Sequence, residues 1–174
     1  MTALNQAYHP TTAGLERETR FGAYSVVLRN AASLRERIRE VLDLALDDLY
    51  LEVHVPDSVT GSPRAVLTAF KDGVIELADF LLAHDVRPKC LIGITHENVA
   101  RPAQRFLNFQ VIAGIPSETV TTDKTARVDE GYLKTKRAAD GVPRGPLCLC
   151  YQTYESFMAF TSALRTKGVT PAPG

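Results

Sequence analysis

The sequence predicts a single α/β domain in which helices flank a mixed, largely antiparallel sheet. Short runs of β-branched and aromatic residues indicate strands, and the longer segments between them carry apolar residues at helical spacing. With 174 residues, the chain is long enough to bury one sizeable core. We expect the domain to span residues 21–166, after a polar N-terminal arm at 1–20 and before a mobile tail at 167–174.

The composition limits the partners and the compartment. Lys plus Arg and Asp plus Glu number 20 each, and this zero net charge argues against a dedicated nucleic-acid surface. The polar N-terminus lacks the apolar stretch of a secretory signal, and no apolar run is long enough to span a membrane. The three cysteines do not form a disulfide framework. We therefore expect a cytoplasmic protein that neither crosses a membrane nor binds nucleic acid.

The first two elements follow directly from the residue pattern. Residues 21–29 are β-branched and aromatic, which is typical of a strand. Residues 34–49 then place apolar side chains along one face of a helix. Ser33 is the expected N-cap of this helix, and Glu36 is its capping-box partner.

The next segment is predicted to be a β-hairpin with a long loop. Residues 49–55 alternate apolar and polar side chains, so Glu52 and His54 share one face of a strand. A stretch dense in turn-forming residues follows, and residues 64–70 are interpreted as the second strand of the hairpin. A helix that begins at Ala65 is the alternative interpretation.

A turn, a helix and a strand follow the hairpin. Lys71-Asp72-Gly73 is expected to break the pattern before an amphipathic helix over 74–86. The apolar run at 90–94 is typical of a strand that is covered on both faces. A helix is predicted around 99–107, with Pro102 in its first turn because a later proline would remove a hydrogen bond.

The C-terminal part is predicted to hold two strands, a long polar excursion and a helix. Residues 109–115 and 147–152 are the strands, and residues 155–164 form the helix. Residues 117–146 between the strands are polar and nearly free of apolar periodicity. A segment of this length within one domain is usually functional or disordered.

One stretch carries a resemblance to a known family. The sequence GVIELADFLLAHDVRPKCLIGITHENVARPAQRFLNFQVI, within residues 49–115, resembles the GNAT superfamily of acyl-CoA-dependent N-acyltransferases. In that family a hairpin strand is followed by a phosphate-binding turn, a helix, a strand, a second helix and a further strand. An Asn after the strand precedes the Phe of a Gly-Phe pair by eleven residues. Asn98 and Phe109 have this spacing. Asn108 stands where the family has the glycine, and Asn can also take a left-handed conformation.

The resemblance implies a GNAT-like fold and an acyltransferase activity. The acyl group would pass from a thioester donor, acyl-CoA or an acyl carrier, to an amine on a small molecule or a protein. Glu52 or His54 would remove the proton from the amine. Lys71 and Gly73 would lie at the phosphates of the donor, with Asn98 in the same cofactor site. A homodimer is compatible with this assignment.

Departures from the family pattern keep a second function open. The turn at 71–73 has one glycine and an acid, Asp72, where the family has a glycine-rich basic turn. The tyrosine that often protonates the leaving thiolate would fall near Arg105 or Phe106, which cannot do so. The alternative is a GNAT-like binding or interaction protein that has no catalytic activity.

Several polar residues also have structural interpretations. Glu52 and His54 could be solvent-facing residues on a half-exposed strand. His96 and Glu97 could bind substrate, or Thr95 or Asn98 could cap the helix while Glu97 complements its dipole.

The three cysteines are interpreted as structural residues of the core. Cys148 and Cys150 share one face of a strand but lack the second half of a zinc site. Cys90 is a third thiol without paired spacing. We therefore predict buried thiols and no metal, with a cysteine-dependent enzyme or metal protein as the remaining alternative.

Overall fold

A six-stranded sheet is the centre of the molecule. In the computed structural model, residues 14–54, 62–113 and 147–168 are described. Within these ranges, the strands are β1 (Thr19–Phe21), β2 (Tyr24–Asn30), β3 (Leu49–His54), β4 (Cys90–His96), β5 (Gln110–Ala113) and β6 (Leu147–Thr153). The α-helices are α1 (Glu36–Leu42), α2 (Pro63–Ala83), α3 (Glu97–Leu107) and α4 (Tyr154–Gly168).

The sheet is mixed and largely antiparallel, as predicted. Its strand order is β1-β2-β3-β4-β6-β5. Neighbouring strands are antiparallel, except that β3 and β4 are parallel. This parallel pair is joined by the crossover helix α2, because parallel strands cannot be connected by a tight turn. The structure confirms an α/β domain with this sheet.

The sheet divides between β3 and β4. These strands pair only from Tyr50 with Cys90 to Glu52 with Ile92. Beyond that point β3 stays paired with β2 as far as His54, and β4 stays paired with β6 as far as His96. The two halves of the sheet therefore stop pairing with each other at the C-terminal ends of β3 and β4. In α/β sheets, this is the edge at which ligands usually bind.

Two apolar cores cover the two faces of the sheet. On the first face, strand residues such as Leu51 and Leu91 pack with α2, α3 and α4 in the larger core. On the second face, Tyr50 and Ile92 pack with Ile38 of α1 in the smaller core. Because α1 has only 7 residues, the second face has much less helical cover among the described residues.

The predicted hairpin is wrong, because residues 64–70 belong to the long helix α2. Ser62 caps this helix by accepting a hydrogen bond from the backbone N–H of Ala65, at 3.3 Å. Pro63 occupies the first helical turn, where its missing N–H costs nothing. The alternative of a helix is therefore confirmed, with a start slightly before Ala65. The helix runs through residues 71–73 without interruption and ends at Ala83.

The helix predicted over 34–49 is much shorter than expected, and Ser33 is not its N-cap. A 3-10 turn occupies Ala31–Ser33 and is capped by the side chain of Asn30. Helix α1 then starts at Glu36 and ends where Asp43 adopts a left-handed conformation, with φ 52°. Asp48 accepts a hydrogen bond from the N–H of Ala45 at 2.7 Å, which closes a turn in place of further helix.

Helix α3 begins earlier than predicted, so Pro102 lies beyond its first turn. The helix starts at Glu97, and Pro102 is inside it. Its C-cap, Asn108, adopts a left-handed conformation, which Asn tolerates, with φ 61°. The side chain of Asn108 also donates to Ser156 Oγ at 3.1 Å, which ties the end of α3 to α4.

The predicted N-terminal arm and C-terminal tail both contain ordered structure. Leu15 is fully buried and β1 begins at Thr19, so the domain starts before residue 21. Helix α4 extends to Gly168, two residues into the predicted tail. The polar excursion at 117–146 and residues 169–174 lie outside the described residues.

Candidate active site

Buried polar residues are concentrated on the second face of the sheet. Ser25, Glu52 and His96 are buried in the described part of the chain, and the strand register places all three on this face. Arg29 and His54 share the face, since Arg29 is opposite Tyr50 and His54 is opposite Ser25. We call these five residues the polar cluster: Ser25, Arg29, Glu52, His54 and His96.

A carboxylate–imidazole pair forms the centre of the polar cluster. Nε2 of His54 lies 2.9 Å from Oε1 of Glu52, because alternate residues of a strand point to the same face. The other carboxylate oxygen accepts a hydrogen bond from Nε of Arg29. The Glu52 side chain is 1% exposed and that of His54 is 11% exposed. The interpretation of both residues as solvent-facing is therefore wrong.

The surroundings of Glu52 favour its ionised form. Burial alone would raise its pKa. The contact and charge of His54, together with the charge and hydrogen bond of Arg29, outweigh burial and hold the pKa of Glu52 below its usual range. Glu52 is consequently a carboxylate at neutral pH and a poor proton acceptor. Of the two predicted bases, the geometry favours His54, because Glu52 is held as the carboxylate beside it.

Ser25 completes a row of three side chains on adjacent strands. It is directly opposite His54 in the antiparallel pair of β2 and β3, and it is 5% exposed. Sequence reasoning missed Ser25 and Arg29. Both lie in β2, which begins at Tyr24 after a turn from β1 and covers most of the single strand predicted over 21–29. The register that sets them beside Glu52 and His54 depends on how two distant segments pair.

His96 lies on the same face, at the end of β4. The residue is 4% exposed and is the N-cap of α3, although its side chain makes no capping hydrogen bond. The predicted caps Thr95 and Asn98 are therefore wrong. His96 lies four positions beyond Ile92, the last residue of β4 that pairs with β3, and it is still paired with β6.

Glu97 and Asn98 begin helix α3. Glu97 accepts a hydrogen bond from Nε of Arg101 at 2.9 Å, and this pair lies along the helix surface. Its position in the first turn matches the predicted interaction with the helix dipole. Asn98 is the second residue of α3, and its side chain is outside the described part of the structure.

Lys71 and Gly73 do not form the predicted phosphate-binding turn. Both lie within α2, where backbone N–H groups are used by the helix itself. Gly73 is buried against the turn between β1 and β2, so its lack of a side chain is explained by packing. The prediction that residues 71–73 form a turn is therefore wrong.

The three cysteines are buried, free thiols, as predicted. Burial raises the pKa of Cys90 and of Cys150 to about 12, and it also raises that of Cys148. Thiols with pKa values this high are almost fully protonated at neutral pH and are therefore weak nucleophiles. Across residues 14–54, 62–113 and 147–168, no group of three or more potential ligand residues is placed to hold a metal ion.

The polar cluster lies beside the ends of two parallel strands that each lead to a helix. Because β3 and β4 are parallel, the connections from their C-terminal ends to α2 and α3 leave from the same edge of the sheet. Helix N-termini carry partial positive charge and unsatisfied N–H groups, which suit anionic ligands. The geometry combines an imidazole paired with a carboxylate and the edge at which β3 and β4 stop pairing.

Comparisons with known proteins gave no match. No protein-family model, no curated protein and no solved structure matches this chain. In the described ranges, none of the helices has the length and apolar character required to cross a bilayer.

Proposed function

We propose that this protein transfers an acyl group from a thioester donor, acyl-CoA or an acyl carrier, to an amine. The observation that carries the proposal is the Glu52–His54 pair, with 2.9 Å between carboxylate and imidazole. The pair is held on the sheet where β3 and β4 stop pairing. A base with this support can deprotonate an amine as the amine attacks a thioester carbonyl.

The order of elements supports a GNAT-like arrangement. With α2 as one helix, the chain runs from β3 through α2, β4 and α3 to β5, which is the strand–helix–strand–helix–strand order of the resemblance. The antiparallel pair β2–β3 precedes it in place of the hairpin that was predicted later in the chain. Asn108 takes the left-handed conformation expected where the family has glycine.

The proposed mechanism uses His54 as the base. His54 removes a proton from the neutral amine as its nitrogen bonds to the thioester carbonyl carbon, and Glu52 stabilises the resulting imidazolium. Backbone N–H groups at the ends of β3 and β4 would stabilise the oxyanion of the tetrahedral intermediate. When the carbon–sulfur bond breaks, the proton on His54 can pass to the thiolate. In this proposal His54 protonates the leaving thiolate, the role that a tyrosine often has in the family and that neither Arg105 nor Phe106 can fill.

The position of donor phosphates in this proposal differs from the predicted one. Residues 71–73 are internal to α2, so the N-terminus of the helix at Ser62 and Pro63 takes the place of the turn. Arg64 adds a positive charge there. Phosphate groups are favoured at such helix ends by the dipole and the N–H groups.

Ligand binding and turnover test the proposal together. Titration with acetyl-CoA, longer acyl-CoAs, CoA and an acylated carrier protein should raise the melting temperature with ligand concentration. Thiol release in the presence of a panel of amines should fall about 100-fold or more in His54→Gln. The matched control is His84→Gln at the end of α2, where the histidine is exposed and stacks on Phe80. Failure of every donor to bind or react would overturn the proposal.

The uninterrupted helix at 71–73 favours the alternative of a binding protein without catalytic activity. Such a protein needs no donor phosphate site, which fits the absence of a turn between Lys71 and Gly73. Replacing Glu52 and His54 together would then leave its biological activity unchanged. In the transferase, the same double replacement abolishes turnover.

A further inference from the structure

We propose that Ser25 is a nucleophile that accepts the acyl group before the amine does. The reaction would then run through an acyl-serine intermediate, in two half-reactions, rather than by direct attack of the amine on the donor. The identity of the acyl donor rests on the function proposed above. The activation of Ser25 rests on the polar cluster alone.

The strand register places the three groups in the order that serine activation needs. Ser25 of β2 is directly opposite His54 of β3, and Val27 of β2 is opposite Glu52. Directly opposed residues have Cβ atoms about 5 Å apart, which allows a hydroxyl and an imidazole to meet. The serine, the histidine and the glutamate thus form a row along one face of two paired strands.

Each nitrogen of the His54 ring has a distinct task in this row. Nε2 lies 2.9 Å from Oε1 of Glu52 without meeting hydrogen-bond geometry, and in this proposal Nδ1 is the nitrogen assigned to Ser25. Glu52 is kept ionised within reach of Arg29 and therefore holds His54 in one orientation. A nucleophile, a base that contacts it and a third group that orients the base are the recurring parts of covalent catalysis.

Three other described serines, Ser33, Ser62 and Ser156, have structural hydrogen bonds, and Ser162 is exposed on α4. Ser33 contacts Tyr50 through the two hydroxyl oxygens at 3.1 Å and donates to the carbonyl of Asn30. Ser62 caps α2, and Ser156 accepts from Asn108. Ser25 is distinguished by its burial on the face that carries the Glu52–His54 pair.

The two half-reactions balance without a further reactant. In the first, His54 takes the hydroxyl proton of Ser25, Oγ forms a bond to the thioester carbonyl carbon, and the carbon–sulfur bond breaks. The thiolate leaves with the proton from His54. In the second, the amine attacks the ester carbon, His54 takes the proton of the amine, the bond to Oγ breaks, and the proton returns to Oγ. The burial of Ser25 limits access of water, which would otherwise hydrolyse the ester.

A small fluorophosphonate tests the activated serine without any assumption about the donor. Diisopropyl fluorophosphate should label Ser25, identified by fragmentation of the tryptic peptide of residues 21–29. The labelling rate should fall about 100-fold or more in His54→Gln, and labelling should be lost in Ser25→Ala. Ser162→Ala, an exposed residue of α4, should label like the unaltered protein. Melting curves of each variant confirm that it is folded.

Trapping with a thioester tests the intermediate itself. Rapid acid quenching after mixing with acetyl-CoA, without amine, should give one acetyl group on Ser25, and added amine should remove it. Ser25→Cys keeps a nucleophile and should also be acetylated. Amine acetylation by Ser25→Ala at the unaltered rate would overturn the intermediate while leaving the proposed transferase in place. Fluorophosphonate labelling at Ser25 without reaction of any thioester would support the activated serine and overturn the proposed donor. No labelling of Ser25 by either reagent would overturn the inference.

Discussion

Gly73 in α2 packs directly against Gly22 in the turn between β1 and β2. A Cβ atom added to Gly22 would lie 2.8 Å from the Cα of Gly73. A Cβ atom added to Gly73 would collide with the carbonyl oxygen of Phe21. Gly22 also has φ +53°, a conformation that side chains disfavour. The two glycines therefore allow α2 to approach the first strands of the sheet closely.

Gly73→Ala should destabilise the fold. The added methyl group meets backbone atoms that cannot rotate away, and overpacking of this kind costs about 1–3 kcal/mol. Urea denaturation followed by circular dichroism measures the change. Asp72→Ala, at the neighbouring exposed position of α2, is the matched control and should leave stability nearly unchanged. A Gly73→Ala protein as stable as the original, with altered donor binding, would instead restore the predicted cofactor role of Gly73.

The Glu52 carboxylate should make folding stability depend on pH in the acid range. Its pKa in the folded protein lies below the ordinary value of 4.5, through His54 and Arg29 acting against burial. The folded state therefore binds this proton less readily than the unfolded state. The resulting stabilisation is fully present well above pH 4.5 and is lost as the pH falls through the folded pKa. Denaturation midpoints between pH 3 and pH 7, in the original protein and in Glu52→Gln, measure this dependence.

Glu52→Gln should also cost about 3 kcal/mol at neutral pH, because it breaks a buried ion pair and leaves Arg29 with less compensation. Asp79→Asn is the matched control. It removes a charge that contacts Arg165 at the surface, and exposed pairs contribute less than about 1 kcal/mol. Equal effects of the two substitutions, or a pH profile that Glu52→Gln leaves unchanged, would contradict the role assigned to Glu52.

Gln152→Met should stabilise the protein or leave its stability unchanged. Gln152 is 1% exposed, and neither polar atom of its amide has a hydrogen-bond partner among the described residues. An unpaired buried amide costs about 1–3 kcal/mol, and methionine has a similar shape without that cost. Thermal denaturation measures the change. A clear loss of stability would show that the amide has a partner or a function.

The three thiols should be unreactive in the folded protein. Burial covers all three, and it raises the pKa of Cys90 and Cys150 to about 12, so the reactive thiolate is scarce at pH 8. Titration with a disulfide reagent should detect almost no thiol before denaturation and three afterwards. Rapid reaction of Cys148 or Cys150 in the folded state would revive the alternative of a cysteine-dependent enzyme.

Local patterns were sufficient for most strands but misled at two helices. Alternation placed β3 correctly and set Glu52 and His54 on one face. Residues 64–70 resemble a strand because they are apolar and follow turn formers, yet the Ser62 cap and the packing of α2 on the sheet make them helical. Helix α1 ends early at the left-handed Asp43. The prediction of a longer helix failed because apolar spacing alone does not indicate where the backbone leaves the helical conformation.

The sequence by itself determined the α/β class and the shared face of Glu52 and His54, since these depend on residues close together in the chain. Only the tertiary structure decided the rest of the polar cluster. The pairing of β2 with β3 set Ser25 opposite His54 and Arg29 within reach of Glu52. Such contacts join segments more than twenty residues apart, so their register depends on how the whole sheet packs rather than on any local preference.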